Sequence, residues 1–347
     1  MSAARRTAAV AAAAALLLSL CLAGCGAEQK HTQTYYTWFD TVTTVTMYGS
    51  VQSFDEVCAI VEPILERYHR AGDIYHEYAG EINARTLNDL AGEGPRSVSP
   101  ELMELLEFGR EMYDATDGMC NIAMGSVFSL WHDCREEALS GAPARVPSDA
   151  ELLYAAQHAD IRDMILDTAN GTAELADPEM SIDLGAVAKG YAAEKAARAL
   201  EAAGYEHIAL NVGGNVRTVG PKTRREDWTA GIQDPDGETD SAFLLRVSLS
   251  GEALVTSGSY QRFYEVGGVR YHHIISPASL HPENQYVSVT VRARDSALAD
   301  ALSTALFNMS YEDGFNRVNL MDGVEACWVY ANGQIRYSQG FRQYLVE

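Results

Sequence analysis

Residues 183–194 read DLGAVAKGYAAE and dominate the interpretation of this chain. The segment 180–184 is mostly apolar, carries one acid and predicts a short strand. Gly185 ends that strand, and an alanine-rich helix follows until Gly204 supplies a left-handed stop. A strand, a glycine turn and a helix start present free backbone N–H groups to an anion, and Lys189 adds a cation in the first turn. The stretch indicates a phosphate-containing ligand, with an ordinary strand-to-helix turn as the alternative.

The composition limits the class of protein. The chain has 347 residues and a formal net charge of -22, and this length allows one large domain or two modest ones. Strands and helices mix without strict alternation, which favours an α+β fold over a doubly wound α/β fold. We expect a single domain over residues 35–347. The acidic balance argues against nucleic acid and against a polybasic membrane surface as partners.

The N-terminus reads as a targeting segment, residues 1–24. Arg5 and Arg6 precede an apolar run over residues 8–20, and Leu-Ala-Gly stands directly before Cys25. This resembles the bacterial lipobox, in which cleavage leaves an acylated cysteine, whereas a plain secretory signal is the alternative. Residues 25–34 are then expected to be a polar tether. The protein would be lipid-anchored at Cys25 on the extracytoplasmic face of a bacterial cell membrane.

Local patterns predict the main elements. Alternation over residues 38–48 predicts a strand, and the polar, turn-rich residues 79–95 predict a loop. The apolar run 127–131 reads as a core strand, and residues 296–309 read as a helix. A hairpin with a type I′ turn is expected at residues 332–333, Asn-Gly.

The cysteines follow no metal-binding spacing. Apart from Cys25 and a cysteine within the signal, the chain has four, and none forms a Cys-x-x-Cys pair. In an exported protein they allow one or two disulfides, and free buried thiols are equally compatible. The four residues are Cys58, Cys120, Cys134 and Cys327.

A carboxylate and a hydroxyl share one face of the helix expected at residues 296–309. Asp300 and Thr304 are four residues apart, so both oxygens lie on the same side. That pair can bind a hard cation such as Mg²⁺, which takes oxygen ligands. The alternative is a solvated aspartate beside a threonine that bonds back to its own helix.

Three further motifs allow a functional or a structural interpretation. Residues 256–258, Thr-Ser-Gly, follow a strand and offer hydroxyls close to the backbone, yet a hydrogen-bonded turn also explains them. Residues 211–215 contain Gly-Gly between strands, as a plain hairpin does. His272 and His273 are consecutive in a strand, so at most one of them can line a given pocket.

The order of these motifs is more specific than any one of them. The series resembles the ApbE family of FAD:protein FMN transferases over essentially the whole mature chain. This resemblance implies a T-fold-related α+β fold and Mg²⁺-dependent transfer of the FMN part of FAD to a Ser or Thr hydroxyl, releasing AMP. The motifs lie, in chain order, at residues 39–41, 78–88, 117–131, 183–192, 211–215, 256–258, 272–275 and 299–305.

The resemblance also implies roles for matching residues. Asp183 and Lys189 would contact FAD. The Ala186 carbonyl, Asp300 and Thr304 would be the protein ligands of Mg²⁺. Further flavin contacts would fall on Phe39, Tyr78, Met119, Cys120, Asn121 and Ile274.

Some positions depart from the common family pattern. Asn121 and Ser276 stand where Asp is usual, and Ala123 stands where Thr is usual. These changes weaken any role as a base at those positions, although Asn121 can still orient a ligand through its amide. We therefore take His273 as the candidate base, ahead of His272.

The resemblance leaves the acceptor to be supplied by another protein. The chain contains no flavinylation-type Ser-Gly-Ala-Thr sequence, so an exported or membrane-bound acceptor would come in trans. Two alternative functions use the same site. One is Mg²⁺-dependent hydrolysis of FAD to FMN and AMP, and the other is a non-catalytic lipoprotein that holds FAD.

Overall fold

The computed structural model describes residues 29–235, 237 and 242–347. Its strands are β1 Gln29–Tyr35, β2 Thr43–Gly49, β3 Arg96–Ser97, β4 Met164–Asp167, β5 Thr172–Leu175, β6 Ile208–Val212, β7 Asn215–Val219, β8 Trp228–Gln233, β9 Phe243–Leu249, β10 Ala253–Gly258, β11 Phe263–Val266, β12 Val269–His272, β13 Tyr286–Ala293, β14 Glu325–Tyr330 and β15 Ile335–Tyr337. Its α-helices are α1 Val51–Gly72, α2 Ala84–Asp89, α3 Pro100–Ala115, α4 Gly125–Leu139, α5 Asp149–Ala156, α6 Ala188–Ala202, α7 Ser296–Phe307 and α8 Tyr311–Val318.

An eight-stranded sheet in the order β1-β2-β6-β7-β10-β13-β14-β15 forms the centre, with every neighbouring pair antiparallel. Helices α1, α6 and α7 cover one face. The mixture of an antiparallel sheet and helices on one of its faces is the predicted α+β class. Separate small sheets are formed by β3-β5-β4, by β8-β9 and by β11-β12.

The helix-covered face is the larger core. Helix α6 is rich in alanine, which lets it approach α7 closely. At Gly190 an added Cβ would lie 2.4 Å from the Cβ of Asp300 and 2.5 Å from the carbonyl oxygen of Ser296. The glycine at this position is therefore required by the contact between the two helices. The predicted end of α6 is also confirmed, since Gly204 has φ +81.

The opposite face of the sheet is covered by the β8–β9 hairpin. Ile232 and Val247 of the hairpin pack with Leu254 of the sheet in a separate apolar cluster. Because side chains alternate along a strand, β10 contributes side chains to both faces of the sheet. Ser257 points to the helices, whereas Thr256 points to the hairpin side.

The expected tether is partly wrong. Residues 29–34 belong to strand β1, which pairs with β2 from Gln29–Gly49 to Tyr35–Thr43. Polar composition suggested a tether, but the backbone pairs with β2 along its whole length and Thr32 bonds Thr46 across the pair. Residues 1–24 and Cys25 lie outside the described residues.

One strand prediction in the first half is partly wrong, and the interpretation of residues 127–131 as a core strand is wrong. The segment 38–48 is a strand only from Thr43 onward, because Phe39 and Asp40 have φ +55 and +48, which no strand accommodates. The run 127–131 lies inside helix α4, whose stripe of buried residues faces the core. Periodicity alone does not separate a short buried strand from a buried helical segment.

Two shorter segments also differ from prediction. The predicted loop 79–95 contains helix α2, which Asn83 caps by accepting the Thr86 N–H. Residues 180–184 are extended but form only an isolated bridge, Ser181 to Met124, and not a strand.

The C-terminal hairpin exists but with another turn. Its loop has three residues, and only Gly333 has a positive φ, so the turn is not type I′. The four cysteines are free thiols, three of them buried, so the described residues contain no disulfide. Within those residues, no helix is both long and apolar enough to cross a bilayer.

Candidate functional site

The carboxylate of Asp300 lies at the contact between α6 and α7. Its side chain is buried, and Oδ2 accepts the backbone N–H of Gly190 at 2.8 Å. Gly190 is in the first turn of α6, where backbone N–H groups have no partner within the helix, so the Asp300 carboxylate caps this N–H. The Ala186 carbonyl, four residues before Gly190, accepts no hydrogen bond from the described residues.

Asn215 holds Asp300 from the sheet side. Its Oδ1 accepts the hydroxyl of Ser296 at 2.7 Å, which fixes the orientation of a side chain that is 2 % exposed. Its Nδ2 has no hydrogen-bond partner with good geometry. The amide nevertheless faces the Asp300 carboxylate closely enough to lower its pKa. Asn215 belongs to the 211–215 motif but was not among the predicted site residues.

An ion pair supports this arrangement from behind. Glu194 accepts the backbone N–H of Ser296 at 2.9 Å and pairs with Arg217 at 2.9 Å. Glu194 and Arg217 are both buried, so each charge is neutralised by its partner. The pair holds the start of α7 against α6 and the sheet.

Three hydroxyls complete the surroundings of Asp300. Ser257 Oγ lies 2.7 Å from Ser303 Oγ and 3.3 Å from Thr304 Oγ1. The Asp300 carboxylate, the Thr304 hydroxyl and the Ala186 carbonyl are hard oxygen donors, the type Mg²⁺ prefers. We name these three the cation cradle. Among the described residues, no group of three or more His, Cys, Asp or Glu side chains could hold a metal, so a cation here would take its other ligands from water or substrate.

The electrostatics of the cation cradle suit a cation. Burial raises the pKa of Asp300, while the charge of Lys189 and the Gly190 N–H act in the opposite direction. A buried carboxylate whose charge is only partly compensated gains from a further positive partner. The residues present therefore fit the implied Mg²⁺.

Asp183 and Lys189 lie together at the start of α6. Asp183 Oδ1 accepts the Gly185 N–H at 2.7 Å, and Lys189 Nζ donates to the Gly185 carbonyl at 2.8 Å. Burial raises the pKa of Asp183, whereas this N–H and then the charges of Lys189, His132 and Arg262 act to lower it. Positive groups therefore surround this turn in a protein that is strongly acidic as a whole.

The two consecutive histidines have different surroundings. His272 is buried, Nε2 lies 2.8 Å from the Glu283 carbonyl, and Nδ1 accepts the Ile274 N–H. Both ring nitrogens therefore form hydrogen bonds with the backbone, which requires a neutral ring protonated at Nε2. Burial lowers the pKa of His272 to about 4. His272 is structural.

His273 lies near the start of α6, since the charges of Arg262 and Lys189 act on its ring. We call the region between this ring, Asp183, Lys189 and Arg262 the cleft. The His273 side chain is exposed to solvent. The cleft walls reduce its hydration and lower its pKa, and the charges of Arg262 and Lys189 lower it further. A neutral imidazole beside a cationic wall can accept a proton, as a general base must.

Phe39 and Tyr78 both contact His69. The Phe39 N–H donates to His69 Nδ1 at 3.2 Å, and Tyr78 Oη lies 3.5 Å from His69 Nε2. Tyr78 also donates to Asp73 at 2.8 Å. Its ring is stacked under Arg70, with the guanidinium carbon 4.5 Å from the ring centre. The flavin contacts of Phe39 and Tyr78 remain predictions.

The remaining predicted flavin contacts are more enclosed. Cys120 and Ile274 are buried, and burial raises the pKa of the Cys120 thiol to about 12. The Asn121 amide is used within the protein, since Nδ2 donates to the Ala159 carbonyl and Oδ1 accepts the Ala123 N–H. Met119 and Asn121 are partly exposed, and all four contacts remain predictions.

Sequence reasoning missed part of the cleft wall. Four residues interact electrostatically with Asp183 or with one another: Tyr75, His132, Arg135 and Arg262. The Tyr75 and His132 ring centres are 5.6 Å apart, and Arg135 bonds His132 at 3.0 Å. These residues are scattered along the chain in helix and loop segments, so no local pattern could have grouped them.

Comparisons with known proteins show the family of this chain. The model of the ApbE family matches residues 39–328. The FAD:protein FMN transferase of Treponema pallidum is 32% identical over 299 residues, covering 82% of this chain and 81% of the relative. That of Klebsiella pneumoniae is 30% identical over 284 residues, covering 82% and 85%. This chain belongs to the ApbE family.

Solved structures share the fold. The crystal structure of the ApbE protein of Thermotoga maritima is 27% identical, with a TM-score of 0.79 over 92% of this chain and 100% of the other. The flavin transferase ApbE of Vibrio cholerae, at 22% identity, has a TM-score of 0.76 over 91% and 99%. The predicted ApbE-like fold is thereby confirmed.

Proposed function

We propose that this protein transfers the FMN part of FAD to a Ser or Thr hydroxyl of an acceptor protein and depends on Mg²⁺. The observation that carries the proposal is the Gly190–Asp300 hydrogen bond, which holds a buried carboxylate at the start of α6. Family membership supports flavin transfer as the reaction class. FAD is a dianion, and the cationic wall at Lys189 and Arg262 suits its pyrophosphate.

The chemical step follows from the residues of the cleft. The acceptor hydroxyl oxygen bonds to the phosphorus of the FMN phosphate, and the bond from that phosphorus to the oxygen of AMP breaks. His273 accepts the hydroxyl proton, and AMP leaves with the bond electrons. Asp183 and Lys189 would hold the dinucleotide, and the cation cradle would hold Mg²⁺, whose charge would stabilise the pyrophosphate as the bond breaks.

The direct test uses purified protein with FAD, Mg²⁺ and a recombinant acceptor domain that contains Ser-Gly-Ala-Thr. Flavin fluorescence that stays on the denatured acceptor, with one AMP released per flavin, is the expected result. Unchanged FAD that co-purifies with the protein would instead indicate a non-catalytic holder and would overturn the proposal.

Hydrolysis of FAD to FMN and AMP is a second candidate. It is favoured by the exposure of His273, since water can reach the ring that would accept a proton. Free FMN and AMP, formed equally with and without the acceptor domain, would support it.

We also propose that the mature chain is anchored by a lipid at Cys25 on the extracytoplasmic face of the membrane. The small residues before Cys25 support this location. Cys25→Ser should block signal cleavage and lipidation and remove the mature protein from the membrane fraction. A cleaved Cys25→Ser protein that stays in that fraction would exclude the lipid anchor.

A further inference from the structure

A groove lies on the face of the sheet opposite Asp300. It is a cavity of 390 Å³ between the β8–β9 hairpin and strands β6, β7 and β10. None of its lining residues is charged, although the chain carries a formal net charge of -22. The lining residues used below are Asn211, Trp228, Thr229, Thr256, Gly258 and Gln261.

The sheet is open at this groove. Strands β7 and β10 pair only at Arg217–Ala253 and Val216–Leu254. Beyond that point β7 turns back at residues 213–214, where both glycines have positive φ, while β10 continues to Gly258. The two strands therefore separate and leave a gap in the sheet.

Backbone groups of β10 point into the gap. The Thr218 N–H donates to the Glu252 carbonyl, so even-numbered residues of β10 direct their N–H and C=O toward β7. On the other side, the Ser259 N–H donates to the Val287 carbonyl of the neighbouring strand β13. Thr256 and Gly258 thus direct their N–H and C=O into the groove, where the described residues place no backbone partner. An extended segment could pair there.

The groove ends beside the catalytic cleft. Ser257, between the two residues that face the groove, lies 3.3 Å from Thr304 of the cation cradle. Gln261 lines the groove, and the next residue, Arg262, interacts with Asp183 and His273. A segment lying along β10 would therefore reach the place where the FMN phosphorus is expected.

We propose that the groove binds the acceptor protein as an extended, uncharged segment that adds as a strand along Thr256–Gly258. This inference rests on the proposed function. The absence of charge suits a segment of small neutral residues around the acceptor hydroxyl, and it does not suit the dianionic FAD, which has the cationic cleft. Backbone bonds from β10 give affinity, and the amides of Asn211 and Gln261 can bond the free edge of the added strand.

The test fills the groove without touching the cleft. Thr229 is an exposed strand residue on the groove wall, so Thr229→Trp should block the segment, and Thr32→Trp on the exposed strand β1 is the matched control. We expect Thr229→Trp to raise the KM for the acceptor domain about tenfold or more, the effect of losing several backbone hydrogen bonds. The affinity for FAD, measured by flavin fluorescence, should change less than about twofold.

Two results would overturn the proposal. An unchanged acceptor KM in Thr229→Trp would show that the groove is not used. A parallel loss of FAD affinity would show that it is part of the nucleotide site. If Thr229→Trp does not fold, Gln261→Ala carries the same test, since this exposed side chain can be removed without loss of core.

Binding without turnover separates this inference from the proposed function. An acceptor domain in which the modified Thr is replaced by Ala binds but cannot react, and its affinity can be measured by fluorescence anisotropy. If wild-type protein transfers no flavin, the proposed function fails. Loss of binding in Thr229→Trp but not in Thr32→Trp would still support the groove, and equal binding by all three proteins would exclude it.

Discussion

Strand β10 presents Ser257 to one face of the sheet and Thr256 to the other, and the two faces are built differently. On the helix side, Asp300, Gly190 and Asn215 are buried and held by contacts between distant parts of the chain. On the hairpin side, uncharged residues line a groove into which backbone groups of β10 point. The buried side is preorganised for a fixed charge, whereas the open side is shaped for a variable polypeptide.

The largest effect should follow from removing the charge of the cation cradle. Asp300→Asn keeps the volume and can still accept the Gly190 N–H, but it loses the carboxylate charge. We expect transfer to fall about a thousandfold, because a bound metal ion supplies several kcal/mol of transition-state stabilisation. The thermal shift that Mg²⁺ produces in the FAD complex should also disappear. Full activity at ordinary Mg²⁺ would exclude Asp300 as a ligand.

The two histidines should separate catalysis from stability. His273→Gln should lower kcat about a hundredfold, the usual contribution of a general base, with little change in melting temperature. His272→Gln should lower the melting temperature, because both ring nitrogens bond the backbone. A larger kcat loss in His272→Gln, with unchanged stability, would reverse the assignment.

The pH dependence of transfer follows from the same cleft. Reduced hydration and the nearby cations lower the pKa of His273, so the ring stays neutral below the ordinary histidine range. Activity should persist through that range and fall only as the pH drops through the lowered pKa, where the base becomes protonated. Arg262→Gln should move this acid limb toward higher pH, and an unmoved limb would remove Arg262 from the surroundings of the base.

Gly190→Ala tests the close approach of α6 and α7. The new methyl would meet Asp300 Cβ at 2.4 Å and the Ser296 carbonyl at 2.5 Å, and a backbone oxygen cannot move aside easily. We expect a loss of about 2–3 kcal/mol in the free energy of unfolding, measured with urea. Ala192→Gly, in the same helix α6 as Gly190, serves as the comparison. It should cost only about 1 kcal/mol. Gly141→Ala cannot serve, because Gly141 has φ +91, a conformation that alanine rarely adopts.

The smallest effect is expected at Asn215. Asn215→Leu keeps the approximate volume but removes the amide that faces Asp300. Groups that orient a metal ligand change affinity by about tenfold when they are lost, so the Mg²⁺ concentration for half-maximal activity should rise by that amount. The same rise should appear when Mn²⁺ binding is followed by electron paramagnetic resonance. Unchanged Mn²⁺ affinity would leave Asn215 with a structural role alone.

Local sequence determined features that depend on neighbouring residues. Three such features were predictable, since each follows from backbone geometry over a few residues. They are the helix end at Gly204, the glycine hairpin between β6 and β7, and the Asp300–Thr304 spacing on one helix face. The order of the motifs indicated the family for the same reason, because motif spacing is a property of the chain alone.

Only the tertiary structure decided how these pieces meet. The Gly190–Asp300 bond joins residues 110 apart and places a carboxylate of α7 at the start of α6. Strand β1 forms because β2 is present to pair with it, and the gap beside Thr256 exists because β7 turns away from β10. Such contacts depend on which distant surfaces pack together, and a local pattern of residues carries no information about a partner so far along the chain.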